Sequence, residues 1–252
     1  EKPSDVDKLV IPDPKTAGMM PLVRKYNQKL ISLGSPAKIQ GGSVTLLAAG
    51  IIGKERLLRW YFREPEAVRI VYDKAADFIL AAAKMTISEF GQNASAGFSA
   101  ALDTNDLISP DIFAEFCMPA LAKVNHGLME MGVNSFSVHL CGNHKHNLEL
   151  WASLPWPKRM TFSLGPETDL ETAAEAFDHQ HIIAGNVSTS LLAHGTYNDV
   201  YQDAKRCIEK GKHLPGGFIL MSGCEMPVLA PPLNVHAMVQ AVMDHGSYGD
   251  VT

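Results

Sequence analysis

The chain has 252 residues, of which 46% are hydrophobic and 19% charged, and its formal net charge is −5. Its length suits one α/β barrel or two small domains, and the acidic balance gives no electrostatic reason to expect nucleic acid. The longest apolar runs fall far short of the roughly 20 residues that cross a bilayer, and the charged, proline-bearing start is unlike a signal peptide. We therefore expect a cytoplasmic protein with a small-molecule partner.

Short apolar runs bounded by glycine alternate with longer amphipathic stretches, a pattern typical of βα units. A loop and a helix are expected over residues 12–34. The predicted strands cover residues 37–41, 97–102, 135–140, 159–164, 181–185 and 217–221. The predicted helices cover residues 64–91, 109–132, 168–177 and 231–246, with caps at Ser109 and Thr168 and a kink at Pro119.

Repeated βα units favour a (β/α)8 barrel, whose active site lies at the C-terminal ends of its strands. We assign residues 1–252 to one such domain. A complete barrel needs eight strands, however, and six are visible. The chain is therefore either an open doubly wound sheet or a barrel whose N-terminal part is not in this chain.

Four cysteines are too few and too scattered for the disulfide framework of a small secreted domain. Cys117 and Cys207 lie in helical patterns, where a cysteine usually fills apolar space. Cys141 and Cys224 instead stand beside glycines at the ends of apolar runs. These are the places where strands pass into loops.

The segment "VHLCGNHKH" places His139 and Cys141 two residues apart at the end of a predicted strand. Extended geometry directs both side chains to the same side, as two ligands of one metal require. Cys224, just after the last predicted strand, supplies a third ligand. Imidazole and thiolate both suit zinc, and catalytic zinc sites typically use three protein ligands and leave one position open.

Other interpretations of this segment remain open. The cysteines could be inert filling, or Cys141 could be a nucleophile with His139 or His144 as its base, which leaves Cys224 unexplained. His144 and His146 could extend a metal site, but their polar surroundings favour a solvated helix start.

Five segments together carry a family resemblance. They are "GGSVTLLAAGIIGKERLLRWYFREPEAV", "LISPDIFAEFCMPALAKV", "VHLCGN", "IIAGNVSTSLLAHGT" and "SGCEMPVLAPPLNVHAMVQAV". In this order they resemble the uroporphyrinogen decarboxylase superfamily from about residue 8 to residue 245. The resemblance implies a (β/α)8 barrel of the uroporphyrinogen decarboxylase type, with its active site in the C-terminal cleft.

Within that superfamily the chain is similar to the cobamide-dependent methyltransferases of the methylcobamide:coenzyme M type. Those enzymes carry a zinc-binding His-x-Cys pair and a later Cys, matched here by His139, Cys141 and Cys224. In the decarboxylase a His stands in place of Cys224, and a Tyr falls where this chain has Ala48 and Ala49. Both departures argue against porphyrinogen decarboxylation.

The resemblance also implies a mechanism and a set of partners. A methyl group passes from a methylated corrinoid, carried on a partner protein, to a small thiol such as coenzyme M held as thiolate on zinc. Glu167 is the candidate catalytic residue, as a fourth oxygen ligand that the incoming thiol displaces. Because they lie at strand ends or βα turns, the candidate cofactor-binding residues are Gln40, Gly41, Asp103 and Asn186.

Family members have a further stretch of chain ahead of the "IPDP" segment, including the first part of the barrel. The sequence therefore looks like a fragment, a processed protein, or one completed by another chain. Two alternative functions remain: a uroporphyrinogen decarboxylase-like lyase, and a non-catalytic subunit whose exposed sheet edges another chain covers.

Overall fold

The structure is a computed structural model that describes residues 2–40 and 43–248, with Gln40 by its backbone alone. Its strands are β1 (Ala37–Gln40), β2 (Ala94–Ser99), β3 (Ser135–Leu140), β4 (Thr161–Leu164), β5 (Ile182–Val187) and β6 (Phe218–Ser222). Its helices are α1 (Met20–Ser32), α2 (Val44–Ile52), α3 (Lys54–Arg63), α4 (Pro65–Phe90), α5 (Pro110–Ile112), α6 (Met118–Glu130), α7 (Leu148–Ser153), α8 (Leu170–Ala176), α9 (Thr189–His194), α10 (Tyr197–Gly211) and α11 (Pro232–His245). A 3₁₀ turn (Pro3–Lys8) precedes α1, and a π turn (Phe113–Cys117) joins α5 to α6.

The six strands form a parallel sheet whose order follows the chain, from β1 to β6. In the β1–β2 pair Ala37 lies opposite Ala94, and in the β5–β6 pair Ile183 lies opposite Phe218. A doubly wound sheet reverses its strand order at a switch point, whereas consecutive barrel strands do not. The sheet order therefore agrees with βα units of a barrel and excludes the doubly wound alternative.

Two compact units divide the chain: Glu1–Val138 with Ser153–Pro157, and His139–Ala152 with Lys158–Thr252. The boundary falls inside β3, so the last two residues of that strand belong to the second unit. The assignment of residues 1–252 to one domain stays a prediction.

In the first unit the long helix α4 forms the centre of the packing. It begins with Pro65, whose missing N–H is harmless in the first turn, and ends before Gly91, which has a φ of +86°. Val68, Val71 and Ala76 on its inner face are fully buried. The predicted helix over residues 64–91 is confirmed to within one residue at each end.

In the second unit β5 is the most buried strand, as expected of a parallel strand covered on both faces. Helices α8 and α10 pack against it, and α10 also packs along α11. Strand β6 is less covered, and its Ile219 is 47% exposed. Within residues 2–40 and 43–248, no helix combines the length and the apolar character that crossing a bilayer requires.

Two local predictions are wrong. The second strand covers Ala94–Ser99 rather than residues 97–102, because small buried residues ahead of Gly97 already pair with β1. The kink expected at Pro119 stays a prediction, and a π turn directly precedes the helix that begins with Met118 and Pro119. The cap of α8 is Asp169 and not Thr168, because Thr168 is buried while the Asp169 carboxylate accepts from two backbone N–H groups.

Candidate metal centre

Three predicted ligands lie together at the C-terminal ends of strands in the second unit. His139 lies at the end of β3, Cys141 follows that strand, and Cys224 follows β6. One ligand atom from each of the three residues lies within 4.8 Å of the other two. The two-residue alternation along β3 thus places His139 and Cys141 on one side, as predicted.

The spacing of the two sulfurs fits a shared metal ion. The Sγ atoms of Cys141 and Cys224 are 3.6 Å apart, and both cysteines carry free thiols. Two sulfurs about 2.3 Å from one zinc ion at tetrahedral angles lie about 3.8 Å from each other, whereas a disulfide needs about 2.05 Å. The pair therefore has the separation of metal ligands and not of a disulfide.

The His139 ring has one nitrogen paired and one unpaired. Its Nδ1 lies 3.0 Å from the Ser163 hydroxyl, while its Nε2 is buried and has no hydrogen-bond partner among the described residues. Burial lowers the pKa of the imidazole, against the opposing effects of the Ser163 hydrogen bond and Glu225. With the proton on Nδ1, the neutral ring presents the Nε2 lone pair as a zinc ligand does.

The electrostatics disfavour Cys141 as an independent nucleophile. Burial, together with the neighbouring Cys224, Glu167 and Glu225, raises the pKa of its thiol to about 11. A nucleophilic cysteine needs the opposite shift, from a nearby cation or a helix N-terminus. Metal coordination would supply the missing positive charge, because a coordinating thiol loses its proton.

The turn carrying Glu167 packs against the backbone beside both cysteines. A Cβ on Gly165 would lie 3.1 Å from the Gly142 backbone and 2.5 Å from Glu167 Oε2, and one on Gly223 would lie 2.7 Å from the Pro166 ring. Glycine at 165 and 223 is what permits this close approach. The exposed Glu167 carboxylate consequently lies next to the loop that follows Cys141.

Asn186 holds that turn from the neighbouring strand. Its amide Nδ2 donates to the carbonyls of Gly165 and Thr168 at 3.0 and 2.7 Å, and its Oδ1 accepts from the Cys207 thiol. The side chain is 2% exposed. Because all of these atoms are engaged inside the protein, burial argues against direct cofactor contact and indicates a role in positioning the turn.

Asp103 lies in a different, fully buried cluster in the first unit. The Thr45 hydroxyl donates to its carboxylate, Tyr72 donates to Thr45 at 3.2 Å, and Tyr61 bonds Tyr72 at 2.6 Å. Burial raises the pKa of Asp103 to about 6, against hydrogen bonds that lower it. Direct cofactor contact is equally disfavoured for this residue. The side chain of Gln40, and Gly41 as a whole, lie outside the described residues.

The solvated-turn prediction is wrong for His144. This side chain is fully buried, whereas His146 is exposed as predicted. The His144 ring lies between Trp151 and the backbone carbonyl of Cys141, so it contacts the backbone of a predicted metal ligand. Trp151 stands one turn into α7, and its apolar bulk draws the preceding loop inward.

Sequence reasoning missed Ser163, Gly165 and Gly223, and it placed His144 in solvent. Ser163 had a usable signal: it sits at the end of β4, the strand next to β3 in the sheet. The "LGP" and "SGC" glycines also signalled close backbone approach at strand ends. No local pattern pairs His144 with Trp151, because their contact depends on how the loop closes.

At the level of sequence, the chain is similar to one protein family and to two methyltransferases. The family model described as uroporphyrinogen decarboxylase matches residues 1–245. The methylcobamide:CoM methyltransferase of Methanosarcina acetivorans is 24% identical over 187 residues, which cover 73% of this chain and 51% of that protein. The methylated-thiol–coenzyme M methyltransferase of Methanosarcina mazei is 24% identical over 201 residues, covering 77% of this chain and 49% of that protein. The chain thus spans about half the length of these curated relatives.

At the level of structure, the chain is similar to a solved methyltransferase. A solved methyltransferase from Methanosarcina mazei superposes with a TM-score of 0.79 at 20% sequence identity, covering 97% of this chain and 70% of that one. This likeness establishes the fold and confirms the predicted βα-barrel class. Because the family model extends over nearly the whole sequence, the chain belongs to the uroporphyrinogen decarboxylase family.

Proposed function

We propose that this protein is a zinc-dependent methyltransferase that moves a methyl group from a methylated corrinoid to a small thiol. The observation that carries the proposal is the grouping of His139, whose Nε2 is buried and unpaired, with two free thiols at zinc-ligand separation. An unpaired buried nitrogen costs about 1–3 kcal/mol unless something binds it. Both relatives are named as coenzyme M methyltransferases, which favours the same reaction class.

His139, Cys141 and Cys224 would hold the metal ion. When bound, zinc supplies a Lewis acid that lowers the pKa of an acceptor thiol and keeps it as a nucleophilic thiolate. The protein contributes the positions of the three ligand atoms. With its proton on Nδ1, His139 would donate a hydrogen bond to the Ser163 hydroxyl, which would hold the ring with Nε2 free to bind the metal ion.

Glu167 would hold the fourth position until the acceptor thiol takes it. Its carboxylate is exposed and lies next to the loop after Cys141. The turn that carries Glu167 is held by the two hydrogen bonds that Asn186 donates to it. An exposed carboxylate on a fixed turn can leave a ligand position without unfolding its neighbours. Asn186 therefore acts on the cofactor site through Glu167, and cofactor binding by Gln40, Gly41 and Asp103 stays a prediction from the sequence.

The methyl donor in this proposal is a corrinoid carried by a partner protein, and the acceptor is coenzyme M or another small thiol. Four free cysteines fit the reducing cytoplasm that we propose as the compartment. A further chain segment would cover the second unit where β6 leaves Ile219 exposed and α11 exposes Leu233, Val239 and Met243. Parallel sheets are normally covered on both faces, so this surface fits another βα unit.

A lyase acting on a carboxylated tetrapyrrole remains the alternative within the same family. Cys224 disfavours it, since such a reaction has no use for a second thiol beside Cys141. A non-catalytic role is disfavoured by the grouping of His139, Cys141 and Cys224, whose ligand atoms lie within 4.8 Å of one another.

Methylcobalamin and a panel of thiols, coenzyme M included, test the proposal when zinc is measured in the same protein preparation. We expect near-stoichiometric zinc and thiol-dependent loss of methylcobalamin, seen by its visible absorbance. The Cys224→Ser variant should lose both, because a hydroxyl is a poor zinc ligand beside a thiolate.

The matched control is Cys207→Ser, which changes a buried cysteine of the same unit outside the ligand group, keeps a donor for the Asn186 Oδ1 atom and should retain zinc. Metal-free protein with intact cysteines would contradict the proposal. Porphyrinogen decarboxylation that survives Cys224→Ser would support the lyase instead.

A further inference from the structure

We infer that Trp151 and His144 form a buried pair that positions Cys141 for metal binding, an inference that rests on the proposed zinc site. Trp151 is 1% exposed and His144 is fully buried. The indole Nε1 of Trp151 lies 3.2 Å from His144 Nδ1, and His144 Nε2 lies 3.2 Å from the carbonyl oxygen of Cys141. The chain of contacts therefore ends on the backbone of a metal ligand.

The chemistry of the three groups fixes the direction of both hydrogen bonds. An indole N–H can only donate, so His144 Nδ1 must accept and carries no proton. A neutral imidazole then has its proton on Nε2. A carbonyl oxygen can only accept, so the Nε2 proton is donated to Cys141. Trp151 thus selects the one tautomer of His144 that can bond the Cys141 backbone.

The hydrogen bond from His144 affects the metal centre because the carbonyl that accepts it belongs to Cys141. Cys141 is the first residue after β3 and is followed by Gly142, which has a φ of +85° and therefore starts a turn. A backbone carbonyl at such a strand end has left the sheet ladder and needs another donor. His144 supplies that donor from three residues further along, so the peptide that carries Cys141 is held in one orientation.

Fixing this peptide fixes the thiol. The Cys141 side chain must keep its Sγ 3.6 Å from that of Cys224, with the His139 nitrogen within 4.8 Å. Groups that orient metal ligands from outside typically change metal affinity by about 10-fold to 100-fold when they are removed. The rings of His144 and Trp151 also meet edge to face, with centroids 6.0 Å apart, which restricts rotation of the imidazole. Trp151 and His144 are therefore positioning residues for the metal centre.

Three variants separate the hydrogen bond from simple packing. His144→Phe keeps a buried ring but leaves the Cys141 carbonyl without this donor. In His144→Gln the amide nitrogen can reach the place of Nε2 and restore the donor. In Trp151→Phe the indole donor is lost, so both tautomers of His144 become accessible.

The readouts are zinc affinity by competition with a chelator and the visible spectrum of the cobalt(II)-substituted protein, neither of which requires catalysis. We expect His144→Phe to bind zinc about 10-fold to 100-fold more weakly and to shift the cobalt spectrum. Trp151→Phe should weaken binding by about threefold to tenfold, as for one lost neutral hydrogen bond. His144→Gln should recover affinity to within about threefold of the unmodified protein.

His181→Phe is the matched control, because it replaces another histidine of the second unit that packs against Phe162 and Phe177 instead of the metal ligands. It should leave zinc affinity and the cobalt spectrum unchanged. Equal affinities and spectra for His144→Phe and the unmodified protein would overturn the inference. If the unmodified protein binds no zinc, the proposed function itself fails, a result distinct from equal binding by all variants.

Discussion

Two polar clusters, each built around a cysteine, differ in what their members bind. In the second unit, Cys141 lies beside Cys224 and His139, and the Nε2 atom of that histidine is buried without a partner. In the first unit, Cys117 lies 3.6 Å from the Thr45 hydroxyl and 3.5 Å from that of Tyr72, inside a network of mutual hydrogen bonds. Burial raises the thiol pKa in both clusters.

The difference shows why a raised thiol pKa alone does not identify a site. The Cys117 network pairs its hydroxyls and its carboxylate with one another, and such a network mainly stabilises the surrounding helices. The Cys141 cluster keeps a nitrogen unpaired and two sulfurs at metal-ligand separation, and it is partly accessible. Three possible metal-ligand atoms within 4.8 Å of one another, rather than shifted pKa values, distinguish the binding site from the structural network.

The largest expected effect comes from replacing the cysteine of each cluster with serine. Cys141→Ser should lower zinc affinity by several hundred-fold, because roughly 10–16 kcal/mol of zinc binding is shared among about four ligands. Cys117→Ser should leave zinc affinity unchanged and lower the free energy of unfolding instead. Metal titration and urea unfolding on both variants measure the contrast, and equal zinc loss in the two would remove it.

A smaller effect concerns the pH dependence of stability. The folded-state pKa of Asp103 is about 6, above its ordinary value of 3.8, so folding favours the protonated carboxyl. Its contribution is fully present below pH 3.8 and is lost as pH rises through 6, at a cost of about 3 kcal/mol above pH 7.

Asp103→Asn keeps a neutral acceptor for Thr45 and removes this titration. Urea unfolding between pH 5 and pH 8 should show the unmodified protein losing stability relative to the variant as pH rises. Parallel pH profiles for the two proteins would show that Asp103 does not titrate in this range.

The smallest predicted effect is on the orientation of His139. Ser163→Ala removes the partner of Nδ1, so the ring can rotate and take either tautomer, and zinc affinity should fall about tenfold. Ser163→Thr retains a hydroxyl and should bind zinc nearly as the unmodified protein does. Chelator competition measures both, and an unchanged affinity for the alanine variant would assign the orientation of His139 to packing alone.

Much of the fold follows from local pattern. Strand β3 was predicted residue for residue, because its apolar and polar residues alternate strictly over residues 135–140. Strand β2 was displaced, since small residues such as Ala94 and Ala96 give little hydrophobic contrast. The π turn before Pro119 could not be predicted, because no local sequence pattern specifies the wider hydrogen bonding of a π turn.

The metal ligands could be predicted from the sequence for the same reason that β3 could. Alternation fixes the relation of His139 to Cys141, and the strand-end position of Cys224 directs it to the same edge. Long-range contacts set the rest: Ser163 comes from the next strand, and His144 is buried only because Trp151 closes over it. Polar residues in a glycine-bounded loop look solvated until the loop's packing is known.

X-ray absorption at the zinc edge of the purified protein tests the central claim most directly. We predict two sulfur scatterers at about 2.3 Å and one imidazole nitrogen at about 2.0–2.1 Å, with an oxygen completing the shell. Adding a thiol acceptor should replace the oxygen with a third sulfur. A shell of nitrogen and oxygen alone, or a protein that binds no zinc with its cysteines reduced, would contradict the assignment of His139, Cys141 and Cys224 as a zinc site.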